Sequence, residues 1–408
     1  MRTKKIHSLV FAAGLAVVMT GITISSCTKD DNTDPIPDAE IPAGTMLSKK
    51  LSTVPSIDGN IDAMWANIPI LSTSTTVPNL DASFARPGCN VFAGYEGKKN
   101  NVKIRSVYDA DKIYFLVEWD DPTESKDRNS WYFDAATKRW KQESTHACSN
   151  GTAQNPYYED KFSFMWNINI ANTSWDKTSC YTTCHTGLAA PFTDAVKHYT
   201  TNPNDKADVW HWKYVRTNED YQLDDQYWGY ADPANPGGNA GRYTDAKTSG
   251  GYADNKQTLK LSDDTSISVT VPKYVIPGKS NYYWLSKAEI DGGTAKLVTA
   301  VNSNGVLSYN GGTIDPVSDN GYIKGTGAKR MPSIYYQGPF VGGRGDVSAY
   351  GRHTGTGWVL EISRKLNTGD DKDVQFDVKN DYVFGIGLFE NAGIAHGIKA
   401  NLKLKFEQ

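Results

Sequence analysis

Residues Val102 to Tyr108 alternate apolar and polar side chains. After the turn residues Asp109-Ala110-Asp111 the chain resumes as the dense β-branched and aromatic run Ile113 to Trp119. Period-two alternation places one face on a core and the other on solvent, so the first run reads as a half-buried strand. The two runs together predict a hairpin within a sheet. The same signals return at Lys161–Ile168, Ile267–Val271, Gly357–Arg364, Tyr382–Phe389 and Leu402–Phe406, the last expected to close the sheet. Ser56-Ile57-Asp58-Gly59 marks a turn, followed by Ile61, Trp65 and Ile68 at helical or irregular spacing. From Gln222 to about Gly345 the chain is rich in Gly, Asn, Asp and Ser, which predicts long irregular connections with a few strands. The expected class is mainly β: a twisted antiparallel β-sandwich with few helices, its long loops carrying a site at one end.

The N-terminus reads as targeting rather than structure. Arg2, Lys4 and Lys5 precede the apolar run Leu9–Ile24, which is short and broken by Gly and Thr. It ends in Ile24-Ser25-Ser26-Cys27, which resembles the lipobox of bacterial lipoproteins, where the thiol after the cut carries lipid. Residues 1–26 are therefore expected to be a signal peptide and Cys27 a lipid attachment site. The alternative is an ordinary secretory signal with a chance cysteine. A polar, proline-bearing stretch, residues 27–48, reads as a flexible tether, and 49–408 as the folded domain. The expected location is the cell envelope, as an outer-membrane lipoprotein held on the membrane through this lipid. Lys29-Asp30-Asp31 resembles an export tag for outward display. A formal charge of −3 gives no basic field for nucleic acid.

Four cysteines remain: Cys89, Cys148, Cys180 and Cys184. Cys180-Tyr-Thr-Thr-Cys184-His185 pairs two thiols with an adjoining imidazole, the set needed for covalent haem attachment. Two thiols add across the porphyrin vinyl groups and the histidine lies beneath the iron. The usual motif has two residues between the cysteines and this one has three. A disulfide, a zinc half-site and two unrelated thiols remain open on spacing. Should Cys180 and Cys184 hold haem, Cys89 and Cys148 are left as a disulfide pair, although four cysteines permit other pairings. No P-loop, dinucleotide fingerprint, zincin helix or nucleophile elbow occurs, so turnover by this chain alone is not predicted.

Several stretches in order resemble the ethylbenzene dehydrogenase-related haem-binding domain, the gamma-subunit family of dimethyl sulfoxide reductase-type dehydrogenases. They are Ser56-Ile-Asp-Gly with Trp65, Val102–Tyr108, Ile113–Thr123, Tyr158-Glu-Asp-Lys161 and the Cys184-His185 loop. Asp208-Val-Trp-His-Trp-Lys213, Trp358–Leu366, Asp373–Phe376 and Phe384–His396 follow. The resemblance implies a β-sandwich with haem at one end, serving electron transfer with a redox partner such as a molybdenum oxidoreductase. In b-type members methionine and lysine hold the iron; the His185 loop and His396 stand at those two places. The cysteine pair, absent from those members, points to covalent c-type haem, with b-type haem as the fallback.

His185 is thus the expected first iron ligand and His396 the second. His211, flanked by Trp210 and Trp212, competes for the second position, with His198 and Met165 as weaker substitutes. Its structural alternative is a core imidazole hydrogen-bonded among rings. Trp210, Trp212 and Trp166 are candidate walls for the porphyrin, and plain core is their alternative. Lys213 and Arg216 are candidate propionate partners, with solvated surface charge as the alternative. His353 is expected to be exposed in a turn, and His146 could line the pocket edge. A second function is kept open: Ser-Ile-Asp-Gly with Trp65 and the aromatic-rich sandwich also resemble family 9 carbohydrate-binding modules, in which exposed rings would stack on sugars.

Overall fold

The computed structural model describes residues 41–78, 94–143, 157–171, 175, 198–200, 202–230, 241–325 and 327–408. Its main sheet is built from β1 (Thr45–Lys50), β2 (Leu71–Thr76), β3 (Lys99–Tyr108), β4 (Lys112–Asp120), β5 (Lys161–Asn167) and β6 (Ala207–Lys213). It continues with β7 (Asp224–Trp228), β8 (Arg242–Thr244), β9 (Ser348–His353), β10 (Gly357–Lys365), β11 (Tyr382–Phe389) and β12 (Gly397–Phe406). Spatial order along these 12 strands is β8-β7-β6-β5-β11-β12-β1-β3-β4-β10-β9, with β2 beside β12 and β3. The sheet folds over so that β4 and β10 face β5 and β6. Phe115 meets Phe164 at 5.1 Å, and Trp119 meets Trp212 at 6.0 Å. This is the expected sandwich, and its core is the aromatic layer between the two halves.

The strand patterns explain the layers. In β3 Val102 and Ile104 are buried while Lys99, Asn101 and Lys103 are exposed, as period two requires. β4 and β10 are buried along almost their whole length and sit between neighbours on both sides. The expected hairpin forms in register from Val102 opposite Trp119 to Tyr108 opposite Ile113.

Four expectations need correction. The folded part begins before residue 49, because Thr45–Ser48 already pair with Lys403–Phe406. The sheet is not wholly antiparallel: β1 runs parallel to both β12 and β3. β12 does not close an edge but lies between β11 and β1. Finally, the stretch from Gln222 to Gly345 holds more than a few strands between its irregular connections. It folds into short strands with their own core, in which Val298, Val301 and Leu307 pack with Trp131, Phe133 and Trp140.

The Ser56-Ile57-Asp58-Gly59 turn is fixed by a buried carboxylate. Glu361 Oε2 accepts from the N–H groups of Asp58 (3.0 Å) and Gly59 (2.9 Å). Gly59 has φ +77°, and a Cβ there would stand 3.0 Å from Tyr350, so glycine is required on both counts. Trp65 follows in a single 3-10 turn (Ala63–Asn67) and is 1% exposed.

Candidate functional site

The face of β5, β6 and β11 turned away from the aromatic core has an unusual floor. Across β11-β5-β6 it reads Phe389-Lys161-Lys213, then Gly387-Ser163-His211, then Gly385-Met165-Val209. Small residues in the middle row leave a trough. His211 borders it on β6 and His396, immediately before β12, on the other side. Phe389 lies between them, its ring 5.7 Å from His211 at 26° and 4.3 Å from His396 at 19°. A Cβ at Gly387 would stand 2.7 Å from Ser163 Oγ and 3.4 Å from His396 Cδ2. The missing side chain is what lets the His396 ring lie over the sheet.

Both histidines are held neutral. Burial lowers His396 to about 4, against the partly opposing bond to Ile394 and with help from the Lys161 charge. Its Nδ1 is 2.6 Å from Ile394 O. A carbonyl can only accept, so Nδ1 carries the proton and Nε2 the lone pair, the tautomer of a metal-ligating histidine. Burial likewise pushes His211 well below its ordinary value, and Lys213, Lys161, Arg242 and Arg216 add repulsion. Its Nε2 is buried and, among the described residues, has no hydrogen-bond partner.

Cations surround this end of the trough. Lys213 is buried against Asp224, which Arg344 also grips at 2.6 Å. Buried Arg216 pairs with Glu159, which Arg128 approaches at 3.6 Å. Lys161 differs. Among the described residues it forms no ion pair; its ammonium donates to Gly393 O at 3.2 Å and lies 3.8 Å from the Phe389 ring.

Tyr158-Glu159-Asp160-Lys161 emerges as the clamp that positions the His396 loop. Tyr158 N donates to Asn391 Oδ1 (3.0 Å), Asn391 N to Asp160 Oδ1 (2.9 Å), and Lys161 to Gly393 O. Glu159 Oε2 accepts from Val215 N (2.6 Å) and Arg216 N (3.1 Å), fixing the chain after β6. Four consecutive residues thus hold both histidine-bearing segments against one strand.

Cys27, Cys89, His146, Cys148, Cys180, Cys184 and His185 lie outside the described residues. Described residues on either side of the Cys180–His185 stretch pack on this same face. Ile170 and Trp175 pack with Met165, Val209 and Trp228, and the His198 ring lies 4.8 Å from Trp228. His211 and His396 are brought together, with Met165 one row away. Trp166, Trp210 and Trp212 are not with them: strand alternation turns them into the core, where Trp212 Nε1 donates to Asn218 at 2.9 Å. They belong to the sandwich interior, as their alternative reading held. Lys213 and Arg216 are buried ion-paired groups, not solvated ones. His353 is not simply exposed: its Nε2 is 2.9 Å from Asp121 O, and its ring meets Trp358 edge-on. Lys161, Gly387 and Phe389 read from the sequence as strand and motif residues with no site role, although glycines two apart in Phe384-Gly-Ile-Gly387 signal a bare strand face.

The profile of the ethylbenzene dehydrogenase family matches residues 62–400. Comparison with curated protein sequences gives no match. Two solved structures are similar over 89% of this chain: a family 9 carbohydrate-binding module from Caldicellulosiruptor kristjanssonii in complex with glucose, and the same module with cellotriose. Identities are 9% and 11%, coverage of those chains is 95% and 93%, and both TM-scores are 0.27.

Proposed function

Because the chain belongs to the ethylbenzene dehydrogenase family, an oxidoreductase-related group, we propose that it is a haem-binding electron-transfer protein whose cofactor lies over the Ser163–Gly387 trough. The observation that carries this reading is His396: a neutral imidazole, its Nδ1 proton fixed on Ile394 O, lying over a strand face cleared by Gly387. The trough offers other features that fit the group. Among the described residues, His211 presents a buried Nε2 with no partner, and Lys161 a buried ammonium without a carboxylate. The flanks of the Cys180–His185 segment pack on the same face.

In this reading Cys180 and Cys184 would hold the porphyrin covalently, and His185 and His396 would hold the iron, with His211 the alternative to His396. A haem held by two neutral imidazoles would supply single-electron exchange rather than substrate binding. The chain's own work is positional. Asp160 and Lys161 hold the Asn391–His396 loop, Gly387 leaves room, and Phe389 separates His396 from His211. Lys161 is placed to receive a propionate carboxylate, the partner it lacks among the described residues.

The redox partner in this proposal is a molybdenum oxidoreductase, a reading that rests on the family. The lipid on Cys27 would hold the protein at the cell envelope, outer membrane included. The carbohydrate-binding alternative loses its main residue, since Trp65 is 1% exposed and cannot stack on a sugar. A Soret band that survives acid-acetone extraction supports the covalent form. A band lost on extraction reduces the proposal to b-type haem, and protein that stays colourless after expression with haem-maturation machinery refutes it.

A further inference from the structure

The inner face of β6 and β7 carries a second constellation, distinct from the trough. Strand pairing sets Trp210 opposite Asp225 and Asp208 opposite Tyr227, so both aspartates turn inward while His211 and Asp224 turn outward. Asp245, just past β8, continues the row: its N–H donates to Asp225 O at 3.3 Å. Asp373 arrives from the loop after β10. The four carboxylates are 0–2% exposed. Arg364 is the guanidinium among them; it donates to Asp208 Oδ2 at 2.8 Å and lies 3.9 Å from Asp373. Its ring-facing side stacks 4.6 Å from Trp210. Four carboxylates against this one cation leave three formal negative charges in a dry interior, an arrangement that costs heavily unless another cation neutralises it or protons are taken up.

The hydrogen bonding tells which oxygens await a partner. Asp208 commits Oδ2 to Arg364 and to Val374 N (2.9 Å). Asp225 commits Oδ1 to Gln226 N (3.0 Å), and Asp373 commits Oδ2 to Thr368 Oγ1. Each therefore has one oxygen fixed by the protein, and the other of each pair receives no hydrogen bond among the described residues. Asp245 is 2% exposed, and among the described residues no N–H group donates to either of its oxygens. Ligand oxygens of Asp208, Asp225 and Asp373 lie within 4.8 Å of one another. Two oxygens on opposite sides of a calcium ion, with bonds of about 2.4 Å, stand that far apart.

We propose that Asp208, Asp225, Asp245 and Asp373 form a structural calcium site that ties the loop after β10 to the β6–β8 edge of the sandwich. Oxygen is the only donor type, which selects a hard cation over zinc or copper. Several protein carboxylates on one ion suit calcium; magnesium keeps most of its waters and favours one or two. Burial first, and then mutual repulsion, raises Asp208 to about 7 and Asp245 to about 8, with Arg364 opposing at Asp208. The competing occupant of the site is therefore the proton.

The test uses the full haem-loaded protein, dialysed against EGTA and then titrated with Ca²⁺, Mg²⁺ or Tb³⁺. Expected are one calcium per chain by mass spectrometry of the metal and a melting temperature raised by about 5 °C or more at saturation. Terbium emission sensitised through tryptophan should saturate at one site and be displaced by calcium. Asp225→Asn and Asp245→Asn should each lose the calcium-dependent shift. Overturning results are a melting temperature indifferent to both EGTA and calcium, or an equal shift with magnesium. A wild-type protein without stoichiometric calcium would also overturn the site, even if the variants fail to fold.

Discussion

Replacing Lys161 by methionine separates the cost of a buried charge from its use. The ammonium is on a residue 2% exposed, bonded to Gly393 O and seated on Phe389. Burial, and then repulsion from Arg216, holds it well below the ordinary lysine range, with Glu159 opposing and Lys213 and Arg242 adding to the effect. An unpaired buried ammonium costs several kcal/mol; a desolvated cation–π contact returns about 2 kcal/mol, and its carbonyl bond about 1.5–3 kcal/mol. The lowered lysine shows that the balance stays unfavourable to the charge, and methionine retains the apolar stem. Haem-free Lys161→Met should therefore be no less stable than the wild type at pH 7. The pH dependence is sharper. Between its lowered folded value and the ordinary 10.5, the unfolded chain binds more protons, so wild-type stability rises with pH by up to about 1.4 kcal/mol per unit. The variant lacks that rise, so it should lose ground to the wild type as pH climbs from 7 to 10. Urea unfolding of both proteins at each pH measures this. A difference that stays flat over that range, or a loss of about 3 kcal/mol at pH 7, would refute the reasoning.

Asp160→Ala removes the acceptor of Ser125 N (2.8 Å), Asn391 N (2.9 Å) and Trp358 Nε1 (3.3 Å). It should cost about 3–5 kcal/mol in urea unfolding and disturb the haem spectrum, because the His396 loop loses its clamp. Trp212→Ala should cost a similar 3–5 kcal/mol but leave the Soret position unchanged, since that ring faces the core. Glu361 is raised to about 7, chiefly by burial, with the Asp58 and Gly59 bonds opposing and the charges of Asp58 and Asp62 adding. A raised carboxyl contributes stability that is full below its unfolded value and lost as pH passes the folded one. Glu361→Gln should therefore gain on the wild type in thermal melts at pH 8.5 and show no gain below pH 4.5.

Much of the sandwich was legible because its strands are long and patterned. Tyr382–Phe389 appears with the bounds read from the sequence, and the 102–119 hairpin has the expected register. The second core was not legible. Its strands, such as Gln257–Lys260 and Leu307–Tyr309, are two to six residues long and set among turn residues. Their partners Trp131 and Phe133 lie well over a hundred positions away, so no local period reports them. The parallel β1 was hidden likewise, since it joins residues near 45 to others near 403. For the candidate site, the sequence singles out His396 and His211, which the fold sets on either side of Phe389, but it places Trp210 and Trp212 beside His211 when strand alternation sends neighbours to opposite faces. The acidic cluster draws on four separate segments, and nothing local in any one of them announces the other three.

The most direct measurement is the spin state of the reduced and oxidised protein after His396→Ala, read beside His211→Ala by absorption and electron paramagnetic resonance. His396→Ala is expected to turn a low-spin haem high-spin, while His211→Ala leaves it low-spin. Low-spin spectra in both variants, or no haem signal in the parent protein, would rule out His396 as an iron ligand.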